Sequence, residues 1–189
     1  MKKLLFLFVL LFPFITFAQI EDDTIDDPGD IVFVGYHDTD DGFSFLLMDN
    51  CPNGTSIRFV DEEWTGAAFN SPTGEGEVLW TNNTGGTLAK GTIINITDAD
   101  DNSGGITASS GTASEIDSGF STANGDQIYA ITGTRVAPGT FLAFVGEDSS
   151  FGGGEIATLA GTGLTAGVTA RLIATEGYYN GTTVFNGTL

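Results

Sequence analysis

From Ile31 onward, apolar residues come in short runs of four to seven, separated by Gly, Asn, Asp, Ser and Thr. That spacing permits short strands and little else. No stretch sustains apolar residues at i, i+3, i+4 and i+7 in a helix-forming composition. Glycine supplies 27 of 189 residues, while Thr, Phe, Val and Ile fill much of the remainder. Branched and aromatic side chains suit a pleated, half-buried surface, and Gly and Asn supply turn conformations. The runs predict strands at Ile31–Tyr36, Phe43–Met48, Ser56–Val60, Val78–Thr81, Thr92–Thr97, Gln127–Thr132, Phe141–Val145 and Thr169–Ala174. A last hairpin over Tyr178–Phe185 would turn at Asn180-Gly181. Ile57 and Phe59 share one strand face, as do Ile94 and Ile96, with Arg58 and Asn95 opposite. The expected fold is therefore an all-β sandwich or barrel of eight or nine short strands. Residues 98–125 are long, small and polar, and read as an extended surface loop with room for one short strand.

Ahead of the domain, Lys2 and Lys3 precede an apolar run from Leu4 that reaches Phe17, and Thr16-Phe17-Ala18 offers small residues for a cut before Gln19. This is the layout of a secretion signal over residues 1–18. The run is short of the ~20 residues that a bilayer core requires, and Pro13 interrupts it, so a membrane anchor fits less well. No Cys follows the cut, which argues against a lipid anchor. Residues 19–30 read as an acidic, flexible leader, and residues 31–189 as one domain. With Lys2 and Lys3 gone, four basic residues face 25 acidic ones, a formal charge of −21. Such a surface repels nucleic acid and anionic lipid; it suits solubility, cations or basic partners. The expected partner is an extracellular protein or glycan. Cys51 is the only cysteine, so the exported domain has no internal disulfide.

One local unit recurs without a fixed period: a Gly turn, a core strand and an acidic exit. It runs from Gly54 to Glu63, Gly91 to Asp101, Gly139 to Asp148 and Gly167 to Glu176. If the four strands run the same way, their acidic exits meet at one rim. Polar strand exits are also ordinary in any β protein.

The stretch Val136-Ala137-Pro138-Gly139-Thr140-Phe141-Leu142-Ala143-Phe144 resembles a turn-strand unit of lamin-tail domains. Leu88 to Ile94 echoes it, Gly125 to Tyr129 is similar to that family's Gly-Asp strand start, and Phe59 to Gly66 is similar to its Trp-bearing turn. The resemblance implies an immunoglobulin-like β-sandwich of the kind found on secreted and surface proteins, often beside nucleases or other hydrolases. Most of residues 29–189 also resembles a poorly characterised secreted bacterial module, through Gly29 to Tyr36, Asp41 to Phe45 and Asp61 to Trp64. The Phe-rich leader ending in Ala-Gln is similar to those of Bacteroidetes secreted proteins. Neither likeness implies catalytic residues. The chain departs from the lamin-tail pattern in its long 98–125 loop and in lacking the usual strand that ends in Glu.

Little in the sequence points to catalysis. Asp101-Asn102-Ser103-Gly104-Gly105 superficially matches a chymotrypsin-type nucleophile motif, but His37 is the only histidine and sits in a turn-like segment. One His and one Cys are too few for catalytic zinc. Carboxylate pairs for glycoside hydrolysis can be drawn at Glu62-Glu63 and at Glu75 and Glu77, with no spacing that separates them from turn residues. Calcium is the most credible ligand, since hard cations take several oxygens from a flexible loop. Asp98, Asp100 and Asn102 place oxygens at alternate positions, although Ser103 and Ser109 break an EF-hand pattern; Asp38, Asp40 and Asp41 form a second cluster. Trp64 and Trp80, with Tyr178 and Tyr179, lie near turns and could stack on a carbohydrate, or simply pack in a core. The Asn-x-Thr triplets matter only in a eukaryotic secretory pathway. The expected role is a non-catalytic adhesion, binding or scaffolding module with calcium as a candidate ligand. The alternatives are an accessory domain of an extracellular hydrolase, or a small glycan-active enzyme. The ending from Phe185 to Leu189 carries no sorting element, which also fits the front of a longer protein.

Overall fold

The computed structural model describes residues 23–37, 42–70, 75–100, 105–122, 125–147, 151, 158–173 and 177–178. The expected signal peptide, Asp38, Asp40, Asp41, Asn102, Ser103 and all but the first residue of the Tyr178–Phe185 hairpin lie outside these residues. Among the described residues the secondary structure is strand alone: β1 (Ile31–His37), β2 (Gly42–Leu47), β3 (Ser56–Val60), β4 (Glu77–Thr81), β5 (Ile93–Thr97), β6 (Thr107–Ala108), β7 (Thr112–Asp117), β8 (Gln127–Thr134), β9 (Ala137–Glu147), β10 (Ala170–Ile173) and β11 (Gly177–Tyr178). They form two sheets, ordered β11-β1-β2-β5-β6 and β10-β9-β8-β3-β4-β7. The result is the expected all-β sandwich. Neighbouring strands are antiparallel except β9 and β10, which run parallel and so need the long connection between them.

The side chains explain why two sheets form and why one is covered twice. Along β3, Phe59 faces the partner sheet and Val60 faces away; along β8 the same split separates Ile128 and Ala130 from Tyr129 and Ile131. The first set meets Phe33, Phe43, Phe45, Ile94 and Ile96 of the other sheet in the main core. The second set forms a separate core with Phe141 and Phe144 of β9, Trp64 and Phe69 of the segment after β3, and Leu164 of the β9–β10 connection. A sheet buried on both faces reads as an unbroken apolar run, as Ile128 to Ile131 and Phe141 to Val145 do.

Two parts of the chain differ from the sequence reading. Residues 23–30 are no loose leader. Ile25 is buried in the main core, Asp30 Oδ2 accepts the Asp26 and Asp27 N–H groups at 2.8 and 2.6 Å, and Gly29 N donates to Leu142 O at 2.8 Å. One buried isoleucine and a self-capping acidic turn outweigh the polar composition. Within 98–125 the described residues form two strands rather than one: β6 and β7 extend the edges of both sheets. In β7 every second residue is exposed. Such an edge needs few apolar groups, and its Glu and Asp protect it against further pairing.

Cys51 is buried in the main core, where its backbone pairs with Leu88, and burial pushes its thiol up. A thiol that stays protonated and enclosed is a poor nucleophile. Native protein at pH 8 should therefore resist iodoacetamide, with full alkylation appearing only in denaturant; mass spectrometry reads the difference. Rapid native labelling would contradict the burial.

Candidate functional site

The directions of the strands bring the acidic exits together. β3 and β9 are both antiparallel to β8, and β10 is parallel to β9, so all three run the same way. In the other sheet β5 runs with β1, since both are antiparallel to β2. Thr122 Oγ1 donates to His37 O at the end of β1, while Ser121 N donates to Asp61 Oδ2 beyond β3 at 2.8 Å. Both sheets therefore deliver these ends to one side. Asp61 to Glu63, Asp98, Asp100 and Glu147 emerge there. Asp101, Asp148 and Glu176, the other acids of the recurring unit, lie outside the described residues.

Asp61 organises this end. Its Oδ1 accepts Gly76 N at 2.6 Å while its Oδ2 holds Ser121, so a single carboxyl group ties three segments together. Burial pushes it up to about 8, against the two N–H donors, with the charges of Glu75 and Asp126 adding to the rise. After Asp61 come Glu62 and Glu63, and then Trp64 plugs into the second core. Its indole ring lies 5.1 Å from Phe69 and 4.8 Å from Phe141, and Nε1 donates to Ala160 O at 2.8 Å. Asn70 N donates to Glu63 O and closes the loop. Because Asp61 grips Gly76, it also brings Glu75 back beside Glu62 and Glu63.

The three glutamates each place a carboxylate oxygen within 4.8 Å of the others. Glu63 and Glu75 are half-buried, whereas Glu62 is 3% exposed and its Oε2 has no hydrogen-bond donor among the described residues. Burial raises the Glu62 carboxyl above the usual carboxylate range, and the charge of Glu63 adds to this while Arg135 opposes it. Arg135 comes from the β8–β9 turn. Its guanidinium donates to Glu75 O at 3.3 Å and pairs with Asp117. Beyond it lies an open cleft of about 260 Å³, lined by Ala67 to Asn70, Arg135, Val136 and Pro138. An open cleft of that size is too slight to enclose a drug-sized ligand.

Crowded carboxylates with few donors favour a proton or a cation between them. An all-oxygen set suits a hard cation. Glu77, the other acid of the pair drawn with Glu75, is instead ion-paired with Arg58.

The residues nominated from sequence fare differently. Asp98 is half-buried in the left-handed region at φ 53° and follows β5, and Asp100 is half-buried after the buried Ala99; neither joins the glutamate cluster. Asn102, Asp38, Asp40 and Asp41 lie outside the described residues. Trp64 and Trp80 are no stacking platform. They are 6% and 0% exposed, and Trp80 Nε1 donates to Ser110 O at 2.8 Å. Each ring occupies a core and each N–H finds an internal carbonyl, the usual fate of a buried indole. Sequence position near a turn says nothing of which way a ring points. The glutamate cluster had only one signal in the sequence, paired acids before a Trp and around a Gly, and nothing there joined the two pairs. No protein-family model, curated protein or solved structure matches the chain.

Proposed function

We propose that the chain is an exported, non-catalytic β-sandwich module that engages an extracellular protein or glycan through its acid-rich loop end. The observation that carries this reading is the common direction of β3, β5, β9 and β10, which gathers separate acidic exits on one side of the sandwich. A rigid two-core sandwich supporting grouped loops is a scaffold suited to recognition. The likeness to lamin-tail domains, which occur on secreted and surface proteins, supports the same reading. The leader supports export.

The test begins with secretion from a Gram-negative host, where N-terminal sequencing should find Gln19 first. The purified protein should then bind at least one class of ligand on a printed array of polysaccharides and extracellular-matrix proteins, and D98N/D100N should weaken that binding. A blank array would refute the reading. A glycan-active enzyme is favoured by one observation, the proximity of three carboxyl groups, one of them with a raised pKa. That alternative requires release of reducing sugar from the same polysaccharides, lost in E63Q.

A further inference from the structure

We propose that Glu62, Glu63 and Glu75 form a calcium site that clamps the exit of β3 to the entry of β4. The inference goes beyond the binding role and does not depend on it.

Three observations carry it. The first is distance: two oxygens on one Ca²⁺, each about 2.4 Å from the ion, are at most about 4.8 Å apart. The three carboxylate oxygens lie within 4.8 Å of one another. The second is the state of Glu62. A carboxylate oxygen in a residue 3% exposed, with no donor to it among the described residues, is a costly arrangement in a folded protein. A cation bound between the three carboxylates would offset the charge that burial leaves on Glu62. The third is charge. Arg135 lies beside the cluster, and its guanidinium is already committed to Asp117 and to Glu75 O. The cluster thus places three carboxylates beside a guanidinium that already has other partners, in a chain whose formal charge is −19. The donor set is oxygen only, with no His or Cys among the clustered residues, which selects a hard cation over zinc. Carboxylates that bind through one or two oxygens suit the flexible shell of Ca²⁺ better than the strict octahedron of Mg²⁺.

The site joins two stretches that Asp61 already holds together. Glu62 and Glu63 follow it directly, and Glu75 precedes Gly76, whose N–H it accepts. A bound ion adds a second tie between them, so the folded state gains what the unfolded chain cannot use. That makes the melting temperature the natural readout.

The experiment uses chelator-treated protein spanning residues 19–189, melted in 0–10 mM CaCl₂ or MgCl₂ at constant ionic strength. Once Ca²⁺ is tenfold above its dissociation constant, the melting temperature should rise by about 4 °C. E62Q should abolish the rise while melting in EDTA no lower than the parent, because the amide keeps the shape and removes one repelling charge. D98N/D100N should keep the rise. Tb³⁺ supplies a second measurement: Trp64 follows Glu63 directly and should sensitise its emission, with Ca²⁺ competing it away and E62Q losing it. Should E62Q fail to melt cooperatively, E75Q at a half-buried position takes its place. The proposal is overturned by no Ca²⁺ shift up to 10 mM in a cooperatively folded protein, or by a shift that survives E62Q or E75Q. It is equally overturned by a shift removed in D98N/D100N, and an equal Mg²⁺ shift overturns the assignment to calcium. Failure here leaves the array result standing, so the two readings fail separately.

Discussion

Phe59→Ala should lower the stability of the domain by about 3–5 kcal/mol, the usual cost of truncating a large buried aromatic. Phe59 lies at the junction of the two sheets. Its ring centroid is 4.6 Å from that of Phe43, 5.0 Å from Phe45 and 6.0 Å from Phe33, three residues of the opposite sheet. Truncation opens a cavity that β-sheet backbones cannot close, and it removes three ring contacts worth about 0.5–1.5 kcal/mol each beyond burial. Against a total of roughly 5–15 kcal/mol, the loss leaves a marginal fold. Phe59→Leu keeps most of the volume and should cost less than half as much. Urea unfolding followed by tryptophan fluorescence measures both; an Ala variant within 1 kcal/mol of the parent would mean that this packing is not what joins the sheets.

A comparable loss should follow from the smallest of substitutions, Gly76→Ala. A Cβ at position 76 would stand 2.0 Å from Phe120 N and 2.5 Å from Phe120 Cα. The obstacle is backbone, so no rotamer change relieves it. Either the 120 segment moves outward, pulling the 1% exposed Phe120 from the main core, or residue 76 retreats from Asp61. The second movement leaves Asp61 Oδ1 buried without its donor. We expect a cost of about 3 kcal/mol or more by either route. Gly86→Ala is the control: a Cβ there meets nothing within 4 Å, and the change should stay within about 0.5 kcal/mol. Equal effects of the two substitutions would show that glycine flexibility, rather than close approach, decides position 76. Because Gly76 also fixes Glu75, the Ala variant should lose the calcium response as well.

Much of the fold was legible from alternation. Ile57 and Phe59, and Ile94 and Ile96, lie in the main core as their shared strand faces require, and the eight strands proposed from apolar runs all appear within a few residues of their expected ends. The misses have physical causes. β7 has too little apolar content to announce itself, because an edge strand draws its order from the hydrogen bonds of β4. Residues 19–30 read by composition as a flexible leader, yet one Ile and a set of local carboxylate bonds suffice to dock residues 23–30. Trp64 and Trp80 looked available because they flank turns, but Trp64 fills the second core and Trp80 the main core, and the carbonyls of Ala160 and Ser110 that receive their N–H groups lie 96 and 30 positions away.

Local sequence determined the strands and their faces, since side-chain alternation along a pleated backbone is a property of neighbours. It also determined the acidity of the strand exits. Only the tertiary structure decided that those exits share one end, because strand direction is set by pairing between distant segments. The same applies to the glutamates. Glu62 and Glu63 meet Glu75 through the hydrogen bonds of Asp61 to Gly76 and Ser121, and to a glycine that lets the chain pass against Phe120. Close approach of backbones across the fold leaves no periodicity in the sequence to read.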